Sequence, residues 1–272
     1  VPLGAETLSP QAGISLLNDG NYHSIVAGKQ VGKTIMRKFG ANSEVGTSWE
    51  PITSSATYQT PTTAQTVEIV SDDNTNDKAG GVGALKVMIV GLGADWYEQE
   101  EEVTLNGTTA VALTKSFTRI FRMYVTESGT YATPSAVSHN STITVQSTGA
   151  GVVWATIETE ESLGMGQSQI GVYTVPKGKR AFILTNFVTV ETTKVVTLAM
   201  FQRPNTDDVT TPFSSRKLMT LQRGTSGVNS FRPRGAINGI IGPTDIGFMA
   251  HTSVGTAQVS VEFEVLMVDI VE

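Results

Sequence analysis

The chain has 272 residues, no cysteine, 16% charged residues and a net charge of −6. Without cysteine there is no disulfide, no thiolate chemistry and no zinc–thiolate site. The mild acidity argues against a nucleic-acid partner, which normally requires a basic face.

Valine and threonine make up roughly a quarter of the chain, and these β-branched residues suit the half-buried surface of a strand. No apolar run approaches the roughly 20 residues needed to cross a bilayer, so no membrane partner is expected. The first residues, VPLGAETLSPQAG, lack a basic region followed by an apolar core. No secretory signal is expected from them.

Residues 1–44 show no sustained alternation and read as an extended N-terminal arm. Ser9-Pro10 predicts a short helix in SPQAGISLLNDG, with serine as the cap. The arm carries four basic and three acidic residues, a balance of +1. Lys29, Lys33 and Arg37 are spaced by four and would share one face of a helix. With Lys38 they form a basic cluster suited to docking on the acidic surface of a neighbouring subunit.

The same stretch holds AGKQVGKT, Ala27 to Thr34, which fits a relaxed phosphate-binding loop. That mechanism needs a strand, a glycine-rich loop and then a helix whose first amides face the phosphates. Here the following TIMRKFG meets Gly40 within two turns, and two glycines separate the apolar run VMIV from Asp95. No nucleotide and no other cofactor is expected.

Residues 45–148 read as a first β-sandwich domain. TVEIV (66–70), ALKVMIV (84–90) and FTRIFRMYV (117–125) are strands bounded by Gly, Asn or Asp clusters. In the last of these Phe117, Phe121, Met123 and Val125 share a face, with Arg119 the one charged exception. Asn106-Gly107, between β-prone runs, predicts a hairpin. DDNTND (72–77) opens like a calcium loop, but Asp77 stands at the sixth position where glycine belongs and Gly83 at the twelfth where glutamate does. It reads as a polar turn, and no metal site is expected.

Residues 149–272 read as a second, jelly-roll-like sandwich, with the boundary at Gly149-Ala150-Gly151. IGVYTVPKGKRAFIL (170–184) is a strand, a Pro-Lys-Gly-Lys turn and a strand, and FVTVETTKVVTLAMF (187–201) reads as a hairpin around Thr192-Thr193. In QVSVEFEVLMVDI, Val259, Val261, Phe263, Val265 and Met267 alternate with Ser260, Glu262 and Glu264. That is the period-two pattern of a sheet with one buried side. The expected fold is all-β: two β-sandwich or jelly-roll-like domains preceded by an extended N-terminal arm.

No catalytic constellation emerges. Glu98, Glu100, Glu101 and Glu102, and again Glu158, Glu160 and Glu161, are runs of the kind that form a wet strand face. A glycosidase needs two carboxyls opposed across a cleft. His23, His139 and His251 lie in separate segments, and GQSQI lacks the second glycine of a nucleophile elbow.

Three stretches, KFGANSEVGTSWEPI (38–52), GLGADWYEQEEEVTLNGTTAVALTKSFTRIFRMYV (91–125) and IGVYTVPKGKRAFILTNF (170–187), resemble a group of virion proteins of tailed bacteriophages, many from aquatic hosts. Members commonly carry K-F-G-x-N, then G-L-x-A-x-(W/Y)-x-E leading into T-L-N-G-T, then I-Y-T-(V/I)-P-x-G-K. Gly93 stands here where a polar residue is more usual. The resemblance implies a non-enzymatic particle component, assembled in the host cytoplasm. Its partners would be copies of itself, as in a trimer, and the phage capsid or neck proteins. A capsid decoration or cement protein is the leading expectation. The alternatives are a tail-fibre or neck-associated adhesion module binding a host surface glycan, and a double jelly-roll major capsid protein.

Overall fold

A computed structural model describes residues 20–55, 57–130, 138–159, 165–231 and 239–270. The helix expected around Ser9-Pro10 lies outside these. The described residues form one short helix, α1 (Gly20–Val26), and strands arranged in four antiparallel sheets.

Two sheets make the larger sandwich. One runs β1 (Lys33–Val45), β17 (Ala257–Asp269), β11 (Lys179–Val190), β14 (Gly227–Phe231), with β15 (Ile240–Ile241) also on β11. The other runs β10 (Val172–Val175), β16 (Thr244–Thr252), β12 (Val196–Pro204), β13 (Lys217–Thr225), with β2 (Glu50–Pro51) on β16. Setting aside the two-residue strands and the inserted segment, the first strand pairs with the last, the second with the seventh, the third with the sixth and the fourth with the fifth. This nested pairing is a jelly roll.

Its core is built by the strict alternation of β17. Val259, Val261, Phe263 and Val265 point inward, and the Phe263 ring meets Phe248 of β16 with centroids 5.6 Å apart.

The smaller sandwich is inserted between β2 and β10. Its sheets are β6 (Val111–Phe117), β3 (Gln65–Ser71), β8 (Ile143–Ser147), β9 (Val153–Ile157), and β5 (Glu98–Thr104), β4 (Ala84–Leu92), β7 (Arg119–Ser128). Val87 and Ile89 of β4 join its core, whereas Val90 and Leu92 join the core of the jelly roll. The run VMIVGL is apolar throughout because this strand is covered on both faces.

Several expectations are corrected here. Residues 33–44 are not arm: Lys33–Val45 pairs with β17 from Lys33↔Val268 to Val45↔Ala257. Its alternation is hidden because Lys38 and Gly40, as well as Met36, stand on its inward side, opposite Phe263, Val261 and Val265. The jelly roll therefore uses both ends of the described chain, and the division at 148/149 does not separate the sandwiches. Gly149 and Ala150, with φ of 81° and 56°, form the tight turn between β8 and β9 of one sheet.

Neither expected hairpin forms. The turns at Asn106-Gly107 and Thr192-Thr193 exist, but β5 and β6, and likewise β11 and β12, belong to opposite sheets. Alternation identifies the buried face of a strand and not the sheet that holds it.

Candidate functional site

The two sandwiches meet at a junction crossed twice by the chain. The crossings lie side by side: Thr53 bridges Ile170, Ser54 N–H donates to the Gln169 carbonyl at 2.9 Å, and Gly171 N–H donates to the Ile52 carbonyl at 2.8 Å. Gly40 packs against them so closely that a Cβ there would sit 2.1 Å from Gly171 N and 2.3 Å from Ile52 O.

Arg119, at the start of β7, reaches from the smaller sandwich to Asp245 of β16. Its Nε and second amino group donate to the two carboxylate oxygens at 3.0 and 3.2 Å. The other amino group donates to the Thr118 carbonyl at 2.7 Å, and the guanidinium lies 5.0 Å from the Trp96 ring. Asp245 also accepts the Thr174 hydroxyl at 2.6 Å, and the Tyr58 hydroxyl lies 2.8 Å from that oxygen. Burial, then the Asp245 charge, pushes the Tyr58 phenol well above its ordinary range, so it acts as a neutral hydroxyl. Trp96 is itself held at φ 66°, with its carbonyl accepting Lys177 N–H at 3.0 Å.

A second contact is made by Lys38, 5% exposed, whose ammonium donates to the Phe121 carbonyl. Its pKa is lowered to about 7, by burial first and then by the Arg122 charge, with Glu98 opposing the shift. The Phe121 ring packs edge-on against Tyr173 at 4.7 Å.

Neither a protein-family profile nor a curated protein sequence matches the chain. Among solved structures, the VP2 subviral particle of infectious bursal disease virus aligns over 92% of this chain and 82% of that one, at 8% identity and a TM-score of 0.18. T=1 particles derived from infectious bursal virus align over 91% and 83%, at 8% identity and a TM-score of 0.14. Likenesses this weak decide neither fold nor role.

The expected docking cluster is dispersed. Lys29 is exposed, and Lys33 donates to Gln30 Oε1 at 2.9 Å. Arg37 pairs with Glu262 and Glu264 of its own β17, both at 3.0 Å. Lys38 is interior. For Lys38, which is buried, the assignment to a neighbouring subunit is thus corrected, and strand pairing, not a helical face, sets the directions of Arg37 and Lys38.

Around Ala27–Thr34 the order is helix, turn, strand, the reverse of a phosphate-binding loop. Two of the three carboxylates of DDNTND, those of Asp73 and Asp77, are taken by backbone and side-chain donors. Asp77 accepts Ser71 Oγ and the amides of Ala84, Asn140 and Ser141, and Asp73 accepts the amides of Thr75 and Asn76. Glu101 bonds Thr114 and Lys115, tying β5 to β6 across the sandwich edge. His139 bonds Ser138 and the Glu158 carbonyl, whereas His251 stacks edge-on against Trp49 at 4.5 Å. Among the described residues no group of three or more His, Asp or Glu converges on a point, and no helix is long and apolar enough to cross a membrane.

Asp245, Thr174 and Tyr58 were not singled out by sequence. The signal that could have found them is Arg119, a charge on an otherwise apolar strand face.

Proposed function

We propose that the chain is a non-enzymatic structural protein of a bacteriophage virion, assembled in the host cytoplasm, and within the particle a capsid decoration or cement protein. The observation that carries this reading is the meeting of the three stretches that resemble phage virion proteins. Lys38 and Gly40 come from the first, Trp96, Arg119 and Phe121 from the second, and Gly171, Tyr173 and Thr174 from the third. All stand at the junction that fixes one sandwich against the other.

The surface is compatible with repeated copies. Phe187 and Val228 are 47% and 75% exposed on the outer face of the β11–β14 pair, and Leu218 and Leu221 stand exposed on the edge strand β13. Exposed apolar side chains and an unpaired strand edge favour association, and closed symmetry such as a trimer would bury them. The nested pairing occurs in one sandwich only, which favours decoration over a double jelly-roll shell.

Counting copies in purified particles by quantitative mass spectrometry, against the major shell protein, tests the proposal. A decoration protein should be present at on the order of hundreds of copies, matched to the shell lattice. A dozen or fewer would move it to the neck or tail, and absence from particles would end the virion reading.

A further inference from the structure

Beside the junction, β12, β16, the segment between β2 and β3 and the segment leading into β13 line a half-open pocket of about 440 Å³. That is the size class of small-molecule sites. Two cations line it, Arg203 and Arg216, and neither forms an ion pair among the described residues. Asp245 also lines it, but its carboxylate is already met by Arg119 and the Thr174 hydroxyl. The pocket therefore carries an uncompensated positive field.

Both guanidiniums are partly oriented by the protein. Arg203 Nε donates to the Ser214 carbonyl at 3.1 Å, and the Arg216 guanidinium lies 5.8 Å from the Phe201 ring, with one amino group 2.8 Å from Met249 Sδ. Each keeps donors that these contacts do not use. An arginine held in place with open donors recognises a planar carboxylate better than a mobile lysine does.

The other walls are mixed. Thr57, Thr60 and Ser214 bring hydroxyls, while Pro51, Phe201 and Met249 bring apolar surface. A sugar ring has the complementary composition, with hydroxyl edges and C–H faces. A bare phosphate would satisfy the charge and leave the apolar wall unused.

We propose that this pocket binds an acidic sugar, a hexose-sized ring bearing a carboxylate. The carboxylate faces Arg203 and Arg216, and the ring lies against Phe201. The assignment does not rest on the particle reading, because it concerns the free chain.

Isothermal titration of the full chain with glucuronate, glucose and inorganic phosphate tests it. Glucuronate should bind saturably, and glucose, lacking the carboxylate, about tenfold or more weakly. R216E should weaken glucuronate by about tenfold or more, the scale of losing a charge-assisted hydrogen bond. Should R216E lose its fold by circular dichroism, T60W, at an exposed position, fills the pocket and carries the same expectation. No saturable glucuronate binding, undiminished binding in the folded variant, or phosphate competing as strongly as glucuronate would each overturn the proposal.

Discussion

Arg119 and Asp245 face each other from different sandwiches, with side chains only 2% and 4% exposed and a closest approach of 3.0 Å. Removing two charges from water costs several kcal/mol each, so such a pair adds little net stability. Breaking it is another matter, because the survivor is left buried and uncompensated. The pair thus adds a direction-specific contact to a junction already held by the backbone bonds between residues 52–54 and 169–171.

Arg119→Met should cost about 3–5 kcal/mol, and Asp245→Leu a comparable amount. The double variant should cost much less than their sum, because both charges go together. Urea unfolding of all four proteins measures the coupling, and additive losses would mean the two residues do not act as a pair.

Gly40 offers a test of how closely the junction is packed. The atoms that an added Cβ would meet are backbone, Gly171 N at 2.1 Å and Ile52 O at 2.3 Å. Backbone cannot rotate aside as a side chain can, so Gly40→Ala should destabilise by about 1–3 kcal/mol or more. Gly28→Ala is the control: φ is +68° with nothing within 4 Å, so only a conformational penalty of about 1 kcal/mol applies. Equal drops in melting temperature would mean the junction yields more than its packing suggests.

Lys38 gives the chain a pH signature of definite sign. Burial, reinforced by Arg122, lowers its folded pKa to about 7 from the ordinary lysine value of 10.5. Between those values the unfolded chain holds a proton that the folded chain has released, so stability from this group rises with pH across that window. Below pH 7 both forms are charged and the burial penalty is fully present. Lys38→Met removes the penalty but leaves the Phe121 carbonyl without its donor. Relative to the parent, the variant should therefore be most favourable near pH 6 and lose that advantage by about pH 9.5. A difference in urea midpoints that stays flat over this range would exclude a depressed pKa.

Much of the jelly roll was legible because β17 alternates without exception from Val259 to Val265. Phe263 is fully buried, whereas the Glu262 side chain is 43% exposed. Phe263→Ala should cost about 3–5 kcal/mol, and Glu262→Ala within roughly 0.5–1 kcal/mol for its surface pairing with Arg37. Comparable midpoints would refute the assignment of faces.

What stayed hidden was anything set by distant partners. Arg119 stood out as a charge on an apolar face, but nothing local names Asp245, 126 positions away. The turns at Asn106 and Thr192 were placed correctly, yet a turn that returns to the same sheet and one that crosses to the other share the same residues. The pocket beside Arg203 and Arg216 combines strands with the approach to β3, and no single stretch records it.

The strand from Lys33 to Val45 was the costliest element to miss, and it permits the most direct test of the topology. Its inward side carries Lys38 and Gly40 because the smaller sandwich and the chain crossings abut it there, so packing at the junction replaces the usual apolar alternation. The strand nevertheless closes one sheet of the jelly roll along the length of β17. Deleting residues 1–32 removes α1, including the buried Ile25 and the Tyr22 hydroxyl bonded to Glu264 at 3.1 Å, but leaves this sheet whole. That truncation should keep β-type circular dichroism and a cooperative melt at reduced temperature. Deleting residues 1–45 also strips the ladder from β17 and uncovers the side of Val261 and Phe263, creating a long unpaired edge beside open core. That protein should fail to fold or aggregate. If it instead melts as cooperatively as the shorter truncation, the first strand is an appendage and the jelly roll is complete without it.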